Sequence, residues 1–416
     1  MPYSVHQPWD PLRVCVVGKS YPPEFYSFME NTRLRSLFEK IAAETEEDFQ
    51  NLISIIEKFN VKVFRPNVPT VQLDRLLTKN RRIPGPISMT PRDQMIMIGK
   101  DFFIFPYDNI SVKSSGRNAT EITNWTEKTY NLFKGPNWPQ AFTPYDQLPE
   151  WIQQECRAEI GFNINYGDTK KEMAKKIGEF NWWDPISDLV VGAGNTIIKN
   201  QYHDILNQIP ANGITRIGKD LYFGFGHGIM DPSKPVDKIK QLTDTFFPEY
   251  RSHIVTTGGH IDGCFCPVKP GLILSIQNIT TFADTFPGWE VVYLQGESWE
   301  KVQPFLDLKK KNKGRWWIKG SEYDQELIEY VETWLQDWVG YAEESVFDVN
   351  ILVIDQQNVI VNGYNKQAFE AFDRHGVTPH ICPIRHRYFW DGGIHCVTLD
   401  LDRDGHMQDF FPERAQ

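Results

Sequence analysis

A strand–turn–strand pattern that occurs five times is the feature of this sequence that most constrains its fold. Each copy has an apolar run, a short turn rich in Gly, Pro, Asp or Asn, and a second apolar run. The five segments are MIMIGKDFFIF (95–105), LVVGAGNTIIK (189–199), ITRIGKDLYFGF (214–225), CPVKPGLILS (266–275) and NILVIDQQNVIVN (350–362). Apolar strands joined by such short turns form β-hairpins. The sequence therefore predicts five hairpins.

Helical patterns lie between these hairpins. In EDFQNLISIIEKF (47–59) apolar residues recur at i, i+3, i+4 and i+7, the spacing of an amphipathic helix, and a strand-like VKVFRP follows. A second amphipathic segment is SEYDQELIEYVETWLQDW (321–338), where Ser321 is in position to cap the helix. Hairpins that alternate with helices predict an α/β fold of repeated units arranged around an axis.

Short polar motifs before the hairpins are the candidates for a functional site. PRD (91–93), PANG (210–213), HID (260–262) and EES (343–345) precede four of the predicted hairpins, and Cys396 stands at the start of a C-terminal strand. A rigid scaffold can aim side chains from the ends of its strands into a shared cavity. We therefore expect one central cavity that holds a histidine, several carboxylates and a cysteine.

The residue types in this cavity favour a particular chemistry. Cys396 beside His260 would be an activated nucleophile with an adjacent acid and base, because a neighbouring imidazole favours the reactive thiolate. Carboxylates beside a thiolate oppose its formation unless the substrate is itself a cation. A planar guanidinium offers N–H donors that carboxylates bind in pairs, which would hold its central carbon against the sulfur. The set therefore favours attack on a guanidino carbon over attack on an ester or a peptide.

Four segments resemble motifs of a known family. PRDQMIMIG (91–99), HIDGCFCPVKPGLILS (260–275) and GGIHCVTLDLDR (392–403) resemble three motifs of the amidinotransferase family, within the superfamily of guanidino-modifying enzymes, and WDPLRVCVVG (9–18) resembles the start of that domain. The motifs occur in the family's order. The resemblance implies a five-bladed α/β propeller, or pentein, of pseudo-repeated ββαβ units around a central active site.

The same resemblance implies roles for individual residues. It implies Cys396 as the nucleophile, His260 as general acid and base, Asp262 as its partner and a guanidinium ligand, and Asp93 as a further substrate carboxylate. Arg92 is a substrate-binding candidate beside Asp93, and an ion pair between the two at a strand edge is the alternative. Cys396 would attack the guanidino carbon of arginine, and His260 would protonate departing ornithine. An amine deprotonated by His260 would then take the amidino group from sulfur, in a ping-pong transfer.

The sequence departs from the family pattern before the third hairpin. Asn212 or Gly213 stands where the family has an aspartate. Asn212 can accept a hydrogen bond from a guanidinium through its amide oxygen, but it provides no countercharge. Asp188, at the equivalent distance before the turn of the second hairpin, is a candidate replacement.

Two further departures concern the second substrate. Ile279 stands where the glycine-specific branch of the family has an arginine that binds a substrate carboxylate. Glu343 and Glu344 stand where that branch has paired serines. An amine-rich acceptor would suit these glutamates, and Glu344 is therefore a candidate contact of the acceptor.

Three functions remain open at the level of sequence. The first is transfer of the amidino group of arginine to an amine, and the second is hydrolysis by the same Cys–His site, which would give citrulline or ornithine and ammonia. The third is a catalytically silent propeller that binds a guanidino ligand or a protein partner. A lone cysteine in a strand is usually an inert core residue. His395 would point away from Cys396 along that strand and is interpreted as structural.

Charge and hydropathy exclude some classes of partner. The net charge is −10 and the longest basic run, DLKKKNKGR (307–315), is short, so nucleic-acid binding is not expected. No segment approaches the roughly 18 apolar residues of a membrane span, and the start of the chain lacks a secretion signal. We expect a cytoplasmic enzyme with small-molecule substrates, arginine and an amine.

The remaining expectations concern domains, metals and assembly. We expect a single domain over residues 1–416, with an inserted segment around 110–185. The spacing in CFC (264–266) is too short for a zinc site, and thiolate, imidazole and carboxylates suffice for the chemistry, so neither a metal nor a cofactor is expected. Exposed blade edges are compatible with a homodimer.

Overall fold

The fold is an α/β propeller with five sheets in the part of the chain that the structure describes. A computed structural model describes residues 1–28, 31–66, 89–105, 184–198, 211–226, 235–257, 260–276, 282–294, 324, 326–327, 347–390 and 392–414. Within these ranges every sheet has three strands. The predicted arrangement of repeated α/β units is confirmed.

The strands and helices are numbered in chain order. The strands are β1 (Leu12–Val17), β2 (Lys62–Phe64), β3 (Met95–Ile98), β4 (Asp101–Ile104), β5 (Thr196–Ile198), β6 (Ile214–Ile217), β7 (Asp220–Gly226), β8 (Arg251–Thr257), β9 (Phe265–Lys269), β10 (Leu272–Ser275), β11 (Glu290–Tyr293), β12 (Leu352–Asp355), β13 (Asn358–Val361), β14 (Thr378–Ile381) and β15 (Thr398–Arg403). The helices are α1 (Thr32–Glu57), α2 (Asp184–Gly192), α3 (Pro235–Phe246), α4 (Ile261–Cys264), α5 (Phe282–Thr285), α6 (Lys366–Arg374) and α7 (Arg387–Trp390).

Four of the five sheets that the structure describes repeat one design. Two strands joined by a tight turn pair antiparallel, and a third strand pairs parallel with the second of them. A parallel neighbour needs a crossover, and in the described ranges α2, α3, α5 and α6 precede β5, β8, β11 and β14. This is the ββαβ unit that the sequence predicts.

The two ends of the chain build the remaining sheet together. β15, near the C-terminus, pairs antiparallel with β1 near the N-terminus, with Val17 opposite Thr398, and β1 pairs parallel with β2. β15 also contacts β3 and β1 contacts β12, so this sheet lies between the first and the last of the other four. The ring is therefore closed by strands that are distant in sequence.

One of the five predicted hairpins is wrong. Residues 189–199 do not form two strands, because Asp184–Gly192 is the helix α2 and only β5 follows it. β5 pairs parallel with β4 and completes the sheet of the first hairpin. The other four hairpins are confirmed, and the fifth antiparallel pair is β15 with β1. An apolar run such as LVV suits a helix as well as a strand, which explains the error.

The longest helix is longer than its apolar pattern predicts. Periodicity predicts residues 47–59, whereas α1 begins at Thr32, where the side chain of Asn31 accepts a hydrogen bond from the backbone N–H of Leu34. The buried side of the helix includes Phe38 and Phe49. Its first half has the same i, i+3, i+4, i+7 spacing in Leu34, Leu37, Phe38 and Ile41, which the prediction overlooked. β2 follows it, as predicted.

Several expectations concern residues that the structure does not describe. The helix predicted over 321–338 lies outside the described residues except for three positions, and the insertion expected around 110–185 lies outside them almost entirely. Among the helices of the described ranges, none is long and apolar enough to cross a membrane.

Candidate active site

Short turns before the first strand of each sheet bring the candidate residues together at the axis. Single turns of 3-10 helix, Pro91–Asp93 and Ala211–Gly213, precede β3 and β6, and α4 precedes β9. Residues 347–350 lead into β12 and residues 392–397 into β15. The turn before β3 contacts the turn before β6 and also β15, and α4 contacts the turn before β6. The fold therefore places five equivalent turns around one centre.

Cys396 lies in such a turn. The sequence places it in a strand, but residues 394–397 form a turn and β15 begins at Thr398. The side chain is buried, with 2% exposed. Its Sγ lies 2.9 Å from Nδ2 of Asn350, which donates to it, and 3.7 Å from Oδ2 of Asp262. The thiol thus contacts one neutral donor and one carboxylate.

His395 is part of the site, contrary to the structural role predicted for it. Because residues 394–397 form a turn, the alternation of a strand does not apply to His395 and Cys396. His395 Nδ1 lies 2.7 Å from Oδ2 of Asp262, the oxygen that also faces the sulfur. Burial, together with the charge of Arg92, lowers the pKa of His395 despite the nearby carboxylate. Because Nδ1 faces a carboxylate oxygen, it carries a proton and donates to Asp262.

Asp262 is the ionised centre of the site. Burial alone would raise the pKa of Asp262, but the hydrogen bond from His395 and the charges of His395, His260 and Arg92 outweigh it and lower the pKa. Its Oδ1 is buried and has no hydrogen-bond partner among the described residues. A buried carboxylate oxygen without a donor is costly, which indicates that a ligand with N–H groups completes this site.

His260 and Asp93 both interact with this carboxylate through their charges. His260 occupies the N-cap position of α4, and its charge lowers the pKa values of both Asp93 and Asp262. Burial raises the pKa of Asp93, and His260 and a hydrogen bond from Thr90 offset this only in part. The two aspartates therefore differ in character, since only Asp262 is held firmly in its charged form.

Asn212 is the residue of its turn that faces the other candidates. Its Nδ2 donates to Oδ1 of Asp93 at 3.0 Å, whereas its Oδ1 is buried without a partner among the described residues. Asp188 does not replace the missing aspartate of this turn, because it lies on α2 with its side chain exposed to solvent. Asn212 and Asp262 therefore each contribute a buried acceptor without a donor among the described residues.

Arg92 forms no ion pair with Asp93 and binds the framework of the site. Its Nη2 lies 2.9 Å from Oδ1 of Asp400, and its Nε donates to the backbone carbonyls of His395 and Thr398 at 2.9 and 2.8 Å. These contacts leave its guanidinium committed to the turn that carries Cys396. The structure therefore gives Arg92 a framework position in place of the predicted substrate-binding one.

Asp400 forms ion pairs with three buried arginines. Arg92 binds one carboxylate oxygen, and Arg216 and Arg403 bind the other. Burial would raise the pKa of Asp400, but the three guanidinium groups hold it well below its usual range. A cavity of about 30 Å³ adjoins this cluster and is also lined by Asp262 and His395.

The remaining predictions concern the acceptor contacts, the CFC cysteines and a metal site. Glu343, Glu344 and Ile279 lie outside the described residues, so the acceptor contact predicted for Glu344 stays a prediction. Cys264 and Cys266 are both buried. In the described ranges no group of three or more His, Cys, Asp or Glu side chains could hold a metal ion.

Asn350 is the site residue that the sequence reasoning missed. Asp93, Asn212, Asn350 and Cys396 each lie two residues before the first residue of a strand, β3, β6, β12 and β15 respectively. The same offset from the hairpin would have identified Asn350. The sequence analysis singled out EES (343–345) before this hairpin, which lies earlier in the chain than Asn350.

Comparisons with known proteins found relatives similar in sequence. The chain is 25% identical over 99% of its length to mitochondrial glycine amidinotransferase of Xenopus tropicalis, of which it covers 85%. Over 48% of its length it is 21% identical to L-arginine:L-lysine amidinotransferase of Pseudomonas savastanoi pv. phaseolicola, of which it covers 46%. No protein-family model matches the chain.

A solved structure shares the fold. Inosamine-phosphate amidinotransferase of Streptomyces griseus superposes with a TM-score of 0.56 at 16% identity, covering 98% of this chain and 99% of that one. The five-sheet α/β propeller is thus the pentein fold. In sequence and in fold the chain is thus similar to amidinotransferases.

Proposed function

We propose that this protein transfers the amidino group of L-arginine to an amine, through a covalent amidino group on Cys396, and releases ornithine. The observation that carries the proposal is a pair of buried acceptors in turns that meet at the centre of the fold. Oδ1 of Asp262 and Oδ1 of Asn212 are buried without donors among the described residues, and Cys396 lies 3.7 Å from the same Asp262 carboxylate. A guanidinium supplies planar N–H donors and a positive charge in one group.

The first half of the reaction forms the covalent intermediate. The Cys396 sulfur attacks Cζ of arginine, a C–S bond forms, and the bond from Cζ to the departing nitrogen breaks. His260 gives a proton to that nitrogen, which leaves as the amine of ornithine. Asp262 and Asp93 hold the guanidinium, and its charge offsets their negative field at the sulfur while the thiolate forms.

The second half returns the enzyme to its starting state. An acceptor amine gives a proton to His260 and attacks the amidino carbon, the C–S bond breaks, and the thiolate is regenerated. Water in place of the amine would make the enzyme a hydrolase. The neutral Asn212, which provides no countercharge, is the feature that supports the hydrolase as a second candidate function.

The acceptor is the less constrained substrate. The names of two similar proteins include an amino acid besides arginine: glycine in one and lysine in the other. Ile279 offers no charge to a carboxylate, and Glu343 and Glu344 offer two negative charges before the last hairpin. These residues support an acceptor recognised through more than one amine, such as a diamine or lysine, over glycine.

Amino-acid analysis of the reaction mixture tests this function. We expect ornithine to accumulate in proportion to the enzyme with arginine alone, and catalytically when a diamine or lysine is added. Steady citrulline, or ammonia with ornithine, in the absence of any amine would replace the transferase with the hydrolase. A matched reaction with Cys396→Ala provides the background.

A further inference from the structure

Asn350 contacts both the backbone and the sulfur of the turn that carries Cys396. It is fully buried. Its Oδ1 accepts hydrogen bonds from the backbone N–H groups of His395 and Cys396, at 2.8 and 3.2 Å. Its Nδ2 donates to Sγ of Cys396 at 2.9 Å and to the backbone carbonyl of Asp262 at 3.4 Å. One amide thus binds the backbone and the sulfur of the same turn.

The orientation of this amide follows from its partners. Two backbone N–H groups can face only an acceptor, so the oxygen must point toward residues 395 and 396 and the NH₂ group toward the sulfur. The backbone carbonyl of Asp262 on the NH₂ side requires the same assignment. The sulfur therefore faces a donor in the resting enzyme.

Neighbouring residues fix Asn350 in this position. Its backbone carbonyl accepts from Nδ2 of Asn362 at 2.9 Å, and its backbone N–H donates to the carbonyl of Phe347 at 3.2 Å. On the other side, a Cβ on Gly393 would lie 2.6 Å from Oδ1 of Asn350. The turn before β15 therefore has a glycine at the place where the amide oxygen needs the space.

The amide of Asn350 offsets an unfavourable charge near the sulfur. The carboxylate of Asp262, 3.7 Å from Sγ, opposes a negative charge on sulfur, and the charge of arginine arrives only with the substrate. A hydrogen bond to the charged form of a group favours that form, and an amide donor acts without a charge of its own that would repel the guanidinium.

We propose that Asn350 is a catalytic residue that donates a hydrogen bond to the Cys396 thiolate and holds the nucleophile's turn through its amide oxygen. This role rests on the proposed function only in taking Cys396 as the nucleophile. It predicts that Asn350 affects the reactivity of the sulfur even toward a reagent that is not a guanidine.

Alkylation of Cys396 by iodoacetamide, followed by peptide mass spectrometry as a function of pH, tests the proposal. In Asn350→Asp the acceptor toward residues 395 and 396 is kept, and the donor toward sulfur is replaced by an oxygen. We expect the midpoint of the alkylation profile to move to higher pH by at least about 1 unit, with a roughly ten-fold slower reaction at neutral pH. Asn350→Ser, a smaller and uncharged change, should move it in the same direction.

Asn195→Asp is the matched control. Asn195 is also buried, its Oδ1 accepts from the backbone N–H of Tyr3, and its Nδ2 donates to the backbone carbonyls of Tyr3 and Lys100 and not to sulfur. We expect its profile to keep the wild-type midpoint, with folding checked for every variant by near-UV circular dichroism. A wild-type midpoint in folded Asn350→Asp or Asn350→Ser would overturn the proposal, as would an equal shift in Asn195→Asp.

The assay also separates this inference from the proposed function. Iodoacetamide carries no guanidine, so the profile can be measured whether or not arginine is a substrate. If arginine gives no product while Asn350→Asp shifts the profile, the donor role holds and the substrate assignment fails. If arginine is turned over and the profile does not move, the transferase holds and the role of Asn350 fails.

Discussion

Replacing Asp262 by Asn should change two activities of Cys396 in opposite directions. Asparagine has the shape of aspartate, and its Oδ1 can still accept from Nδ1 of His395, where the present distance is 2.7 Å. The substitution removes the negative charge that lies 3.7 Å from the sulfur and one acceptor of the proposed guanidinium. Reaction with arginine should slow, whereas reaction with a neutral alkylating reagent should become easier.

The size of each effect follows from the contacts. A hydrogen bond to a charged group contributes about 1.5–3 kcal/mol, so kcat/KM for arginine should fall by roughly 10-fold to 150-fold. Two unit charges about 4 Å apart interact by about 4 kcal/mol at an effective dielectric constant near 20, which is an upper bound for the effect on the thiolate. We expect the midpoint of iodoacetamide alkylation to move at least about 1 unit to lower pH.

Both effects can be measured on one preparation. Ornithine release gives kcat/KM, and peptide mass spectrometry gives the alkylation profile of Cys396. Asp220→Asn is the control, because Asp220 is also fully buried and binds Arg251 and His253 away from this site. The reasoning is refuted if Asp262→Asn keeps wild-type activity on arginine, or if its alkylation midpoint moves to higher pH.

Two further predictions concern the framework around the nucleophile. Asp400→Asn leaves three buried guanidinium groups without their carboxylate and should lower the free energy of unfolding by about 3–5 kcal/mol in urea denaturation, whereas Asp404→Asn, in an exposed ion pair, should cost less than about 1 kcal/mol. Because the folded-state pKa of Asp400 is depressed, its contribution is present above about pH 4 and is lost as the pH falls, so the difference between wild type and Asp400→Asn should shrink in acid. Gly393→Ala should reduce ornithine release at least about ten-fold, since its Cβ would lie 2.6 Å from Oδ1 of Asn350, and Gly363→Ala, with no heavy atom within 4 Å of its Cβ, should leave release unchanged. Equal stability losses for the two aspartate variants, or equal activities for the two glycine variants, would contradict this account.

The repeated hairpins were predictable because they depend on local pattern. Four of the five predicted segments contain β3–β4, β6–β7, β9–β10 and β12–β13. The fifth sheet was not predictable in this way, since β15 and β1 pair across nearly the whole length of the chain. A local pattern carries no information on which distant strands meet.

The proximity of some candidate residues was predictable where the residue type indicates a chemistry, and their roles stay predictions. Cys396 and Asp262 lie within 3.7 Å of each other, as the ordered motifs led us to expect, although they are distant in sequence. Arg92 and His395 were misjudged because their roles depend on exact placement: one binds Asp400, and the other lies in a turn and not in a strand. Asn350 was missed because an asparagine at the end of a loop has no chemical signature of its own.

Intact-protein mass spectrometry after incubation with arginine alone, quenched in acid, tests the central claim most directly. The account predicts a mass increase of one amidino group on the wild-type chain, one equivalent of ornithine in solution, and neither change in Cys396→Ala. Loss of the adduct on adding an amine, with the mass of the amidino group appearing on that amine, would complete the transfer. Arginine that yields no adduct in wild type while product still forms, or an adduct that persists in Cys396→Ala, would contradict it.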